Sequence, residues 1–127
     1  MADNLPDIIE NQLLDALVGT STYSITGATK LRLMTANGND ASAGTEVTGG
    51  SYVAQTIEFD AAASGSISNN ASISFTGMPA VTVVGIEIYD SAGSPKRLAY
   101  GALTTSRTVT AGDTVQFASS AITLSLA

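Results

Sequence analysis

The chain has 127 residues, enough for one domain and too few for two of ordinary size. Histidine, cysteine and tryptophan are absent, which removes the commonest general base, any thiol nucleophile, any disulfide and any Cys/His zinc site. Eleven acids against five scattered bases (Lys30, Arg32, Lys96, Arg97 and Arg107) give a net charge of −6 and argue against nucleic-acid binding, which needs clustered Lys and Arg.

The chain starts with an acidic stretch, Met1 to Asp7, which has no basic patch ahead of an apolar run, so no secretory signal is expected. The segment Asp3 to Val18 reads as a helix. Asn4 is placed to act as N-cap, Pro6 sits in the first turn, and Asp7 and Glu10 favour the positive end of the helix dipole. Gly19 is placed to close it. Residues 1–20 are therefore expected to form a helix and connector, and 21–127 a β-sandwich domain. At about 100° per residue, Leu5, Ile9, Leu13, Ala16 and Leu17 fall within one arc of about 120°, enough to dock the helix on a sheet. Ile8, Leu14 and Val18 lie outside it, beside Asp7, Asn11 and Asp15. Scattered surface apolar residues are ordinary. The sharper account places the helix between its own sandwich and a second chain. On that account Leu5, Ile8, Ile9, Leu13, Leu14, Leu17 and Val18 are the candidate protein interface.

From residue 29 the patterning changes to period two, and turn residues recur every 8–15 positions. Lys30-Leu31-Arg32-Leu33 alternates cleanly. Then Val53, Gln55, Ile57 and Phe59 share a face, as do Ile73 with Phe75 and Val84 with Ile86 and Ile88, leaving Glu87 and Tyr89 opposite. Leu98, Tyr100 and Ala102 line a fifth strand. Val115 with Phe117, and Ile122 with Leu124 and Leu126, line the last two. Ala63-Ser64-Gly65, Gly77-Met78-Pro79, Ala92-Gly93-Ser94-Pro95 and Ala111-Gly112-Asp113 supply the turns. The pattern predicts a mainly β fold, an antiparallel β-sandwich of about seven strands preceded by one N-terminal α-helix. The expected core is Leu31, Leu33, Ile57, Phe59, Phe75, Val84, Ile86, Ile88, Phe117, Ile122 and Leu124. No run of about 18 apolar residues exists to span a membrane.

Few residues suggest chemistry. Asn37-Gly38-Asn39-Asp40 offers hard oxygen ligands, but the full calcium-loop pattern is missing, and a turn with Asp40 as its cap is the plainer reading. Glu58 with Asp60 and Glu87 with Asp90 are the paired carboxylates a glycosidase would need. With only seven aromatics to build a sugar cleft, a solvated sheet face is expected instead. Serines are plentiful, yet only Lys30 and Lys96 could serve one as a base. No glycine-rich stretch has phosphate-loop spacing. Asn70-Ala71-Ser72 matches a glycosylation sequon by chance. The expectation is therefore a protein without catalysis, cofactor or metal, whose task is to make contacts.

A string of short motifs carries a resemblance. These are Leu31-Arg32-Leu33-Met34-Thr35, Gly44-Thr45-Glu46-Val47, the run Gly49 to Phe59, Gly85-Ile86-Glu87-Ile88-Tyr89-Asp90, the run Leu98 to Thr105, and Gly112-Asp113-Thr114-Val115-Gln116-Phe117. In this order they resemble small structural proteins of tailed bacteriophages, the head-decoration (cement) or tail-fibre-like β-sandwich proteins. Two positions depart from that pattern: Val53-Ala54 stands where a basic residue is common, and Ala80-Val81-Thr82 where an aromatic often precedes the central strand. The resemblance implies a virion structural protein with no catalytic residues. One compact domain, with a radius of gyration of about 14 Å, can dot a surface but lacks the heptads or repeats of a shaft. Capsid decoration is therefore favoured: a homo-trimer on the major capsid protein at the capsid surface, assembled in the host cytoplasm. A tail-fibre or baseplate-associated adaptor is the alternative, and a carbohydrate-binding module a further one, which a row of exposed aromatics would reveal.

Overall fold

The structure, a computed structural model, describes residues 4–126. The strand that alternates most cleanly in sequence organises the fold. Strand β1 (Lys30–Ala36) runs antiparallel to β6 (Val81–Tyr89), pairing Leu31 with Ile88 and Leu33 with Ile86. Its other edge is shared by β3 (Gln55–Thr56) near Lys30 and by β2 (Thr45–Glu46) near Met34. Strand β7 (Arg97–Val109) pairs with the far side of β6, so the main sheet runs β2-β1-β6-β7, with β3 also on β1. The second layer is two antiparallel ribbons. One pairs β4 (Ser66–Ser68) with β9 (Thr123–Ser125), the other β5 (Ile73–Phe75) with β8 (Val115–Phe117). Among the described residues strand accounts for 39% and helix for 9%, so the fold is mainly β with one helix there, α1 (Asp7–Leu17).

One apolar core joins the layers. Leu31, Leu33, Val83, Ile88 and Ala99 from the main sheet meet Ile73, Phe75, Val115 and Phe117 from the ribbons. Phe75 stands at its centre, edge-on to Phe117 at 6.3 Å and stacked on Tyr52 at 5.8 Å. Most of the expected core is there: Leu31, Leu33, Ile57, Phe75, Ile88, Phe117 and Ile122 are buried, while Phe59, Ile86 and Leu124 pack against the cluster half-buried. Val84 is a correction. It is half-buried outside the cluster, and Val83 takes the inward place. The pairing of β6 with β7 jumps from Val83–Arg107 to Gly85–Ala102, so two steps along β6 span five along β7. That irregularity reverses the inward phase of β6.

Nine strands are present among the described residues, where the patterning predicts about seven. The additions, β2 and β4, are two and three residues long, and β4 is Ser-Ile-Ser, too short and polar to show a period. The predicted strand through Val53 and Phe59 shrinks to β3, leaving Val53 exposed.

Helix α1 starts later than predicted. Asn4 is not its cap and Asp3 lies outside the described residues. Instead the Pro6 carbonyl accepts from the N–H groups of Ile9 (2.8 Å) and Glu10 (3.0 Å), with no side-chain cap. The C-terminal end follows the expectation. Gly19 adopts a φ of +77°, its N–H donates to Ala16 (3.2 Å), and the Thr20 N–H donates to Asp15 (2.8 Å). This pair of bonds is a Schellman closure.

Candidate functional site

The two halves of α1 are held differently. At its N-terminal end Pro6 and Ile9 are buried and Leu5 packs against the core. The Tyr100 N–H donates to the Asn4 carbonyl at 2.8 Å, and the Asp7 N–H reaches the Asp40 carbonyl at 3.4 Å. Lys96 Nζ donates to Gln12 Oε1 at 3.4 Å. Beyond Leu13 the helix leaves the body. Leu14 is 60% and Leu17 79% exposed, and Val18 is equally open.

A groove of about 570 Å³ opens along this free half, lined by Leu5, Leu13, Leu14, Ala16 and Leu17 with Leu126 across from them and Glu10 at its edge. It continues, through Leu5, Leu13 and Leu126, into a hollow of about 240 Å³ against the β4–β9 ribbon, where Ile67 and Leu124 form the wall. Of the predicted interface residues, Leu5, Ile9 and Leu13 face the body and Ile8, Leu14 and Val18 are exposed, as the helical wheel divides them, with Leu14 at the groove. Leu17 is corrected. The wheel places it on the docking arc, yet it ends the helix at the groove and lies exposed.

On the outer face of the main sheet lies a polar cluster that sequence reasoning missed. Glu87 is buried, not solvated. Its Oε2 accepts from the Gly44 N–H at 2.8 Å and pairs with Arg97 at 3.3 Å, and its Oε1 accepts from the Tyr89 hydroxyl at 2.8 Å. Burial, reinforced by the bond to Glu87, pushes the Tyr89 phenol up to about 12. Arg32 stacks over the Tyr89 ring and pairs with Glu46 at 3.6 Å. Glu46 in turn accepts from the Tyr52 hydroxyl at 2.8 Å, which itself accepts the Leu33 N–H at 3.0 Å. Burial raises the Tyr52 phenol well above its usual range.

Loop 37–44 covers this cluster. Its turn is capped by Asn39, whose Oδ1 accepts from Ala41 and Ser42, not by Asp40 as predicted. Asp40 instead accepts from the Tyr100 hydroxyl, and Arg97 donates to the Asn39 and Asp40 carbonyls. Gly38 is required for close approach: a Cβ there would meet Glu87 Oε2 and two backbone atoms at 2.6 Å.

Asp90 is also buried. The Lys96 N–H (2.8 Å) is the first cause holding its carboxyl below the usual range, with Thr26 and Ala92 N–H groups adding to it. The solvated-face reading therefore fails for Glu87 and Asp90, while Glu58 and Asp60 are exposed as predicted. Asn69 is a second polar tie. Fully buried, it binds Ala71 and Ala118 through its amide nitrogen and the Ile122 N–H through its oxygen.

These buried polar groups are satisfied within the chain, so they brace the fold and offer nothing to a ligand. No three metal-ligating side chains gather among the described residues. The seven aromatic side chains are buried or half-buried, and none stands out as a sugar platform would. The groove along α1 is an apolar feature open to a partner.

Residues 4–125 match the family model described as Podophage GP4 fiber I protein gp80. No curated protein matches the chain.

Proposed function

The chain belongs to the podophage GP4 fiber I protein gp80 family of small tailed-phage structural proteins, and from that premise we propose that it is a module of the virion's fibre, attached through the open half of α1. The observation that carries this reading is the span of the match: residues 4–125 take in the helix, both layers and every lining residue of the groove but Leu126, so the family's structural role applies to the folded unit. A fibre needs units that brace themselves and present a contact to the next component. The sealed sandwich supplies the first requirement and the groove beside α1 the second.

A second reading, capsid decoration, is supported by the fold of these residues: a sandwich without heptads or repeats suits a shell ornament. There it would bind the major capsid protein as a homo-trimer. Binding the assembled shell and not its free subunits would stabilise the shell by about 2.7 kcal/mol per site at a hundredfold excess over Kd. Separating purified virions into capsids and fibre-bearing tails, then probing each with an antibody to the chain, decides between the two. The fibre reading expects the chain with the tails. Its presence on DNA-free capsids would move the assignment to decoration, and its absence from both would contradict a structural role.

A further inference from the structure

The open half of α1 has a lopsided chemistry. Leu14, Leu17 and Val18 stand at i, i+3 and i+4, so they form one continuous apolar patch, and Leu126 lines the groove with Leu14 and Leu17. Every charge on the helix is acidic. Glu10 lines the groove, Asp7 and Asp15 share the helix surface, and the last turn carries no base. None of these three carboxylates belongs to an ion pair among the described residues; the two pairs there are Arg32–Glu46 and Arg97–Glu87. An apolar groove with an unneutralised acidic margin is complementary to apolar residues set beside a base.

We propose that this groove seats an apolar segment of a different protein, one that carries lysine or arginine beside its apolar residues. The inference deepens the structural-module reading and rests on it for the partner's origin in the virion. A second copy of this chain is a poor occupant. Helix against helix would oppose acid to acid, since α1 carries three acids and no base. The partner's apolar side chains would enter between Leu14, Leu17 and Leu126, and its base would meet Glu10.

The test titrates the full chain with two synthetic amphipathic peptides of identical apolar spacing, one of leucine and lysine, the other of leucine and glutamate. The leucine–lysine peptide should bind, and more weakly as salt rises. Leu17→Ser should weaken that binding about tenfold or more, and Leu14→Ser should repeat the loss. Glu10→Lys should shift preference toward the leucine–glutamate peptide, while Glu58→Gln, at an exposed acid in the segment between β3 and β4, should change nothing. Equal binding by wild type and Leu17→Ser would overturn the proposal, since charge alone would then explain it. So would a concentration-dependent oligomer of the wild type that Leu17→Ser dissolves, which would give the groove to a second copy. Virion fractionation reads the chain's location separately, so failure here is distinguishable from failure of the fibre assignment.

Discussion

Leucines in the sandwich and leucines on the helix are the same side chain with opposite fates. Leu31 and Leu33 are wholly buried, whereas Leu14 and Leu17 stand mostly in water on a chain that has a core able to take apolar residues. In the sandwich, strands from both layers close over Leu31 and Leu33. At the helix, only the first turns are tied down, by Pro6, Ile9 and the backbone bonds of Asn4 and Asp7. The contrast separates residues that hold the fold from residues the fold presents. It predicts that mutation should hit stability in one region and association in the other.

The largest effect should come from the centre of the core. Phe75→Ala removes a ring that packs on both Phe117 and Tyr52 and should cost about 3–5 kcal/mol, read from chemical denaturation. Next is the buried polar cluster. Glu87→Ala leaves the Arg97 Nη1, the Gly44 N–H and the Tyr89 hydroxyl without their acceptor and Arg97 without its carboxylate, and should cost about 3 kcal/mol in the same assay. That loss would show that polar bracing, as well as apolar packing, belongs to the holding region.

Asp90 gives a smaller effect with a pH signature. Because its folded carboxyl titrates below the usual value, the stability it supplies is present above about pH 4, the unfolded aspartate range, and is lost as pH falls through the lower folded value. Asp90→Asn should cost about 1–2 kcal/mol at neutral pH. It should also flatten the acid limb of the stability curve below about pH 4. The smallest effect is expected on the presented side: Leu14→Ser and Leu17→Ser should each stay within about 0.5 kcal/mol of wild type. A core-sized loss at either position would erase the contrast.

Where local patterning settles a residue's surroundings, the sequence was a sound guide. The alternation of Leu31 and Leu33, the Ile73–Phe75 and Val115–Phe117 faces, and the Gly19 stop all read correctly from neighbours a few positions away. What escaped depends on distant contacts. Glu87 looks solvated beside Ile86 and Ile88 until Gly44, 43 residues earlier, and Arg97 close over it. Val83 replaces Val84 because β7 inserts extra residues opposite, which no pattern within β6 discloses. Leu17 sits on the docking arc by angle alone, and a helical wheel carries no information about whether the body extends that far. The outward placement of Ile8, Leu14 and Val18 was legible, because amphipathicity is a property of the helix itself.

The most direct test of the account is incorporation of a Leu14→Ser/Leu17→Ser chain into virions assembled in its presence, with its folding stability measured in parallel. The expected result is a protein as stable as wild type, to within about 1 kcal/mol for the two surface changes together, that is lost from the fibre-bearing fraction. A chain that keeps its wild-type stoichiometry in that fraction with both leucines replaced would contradict it.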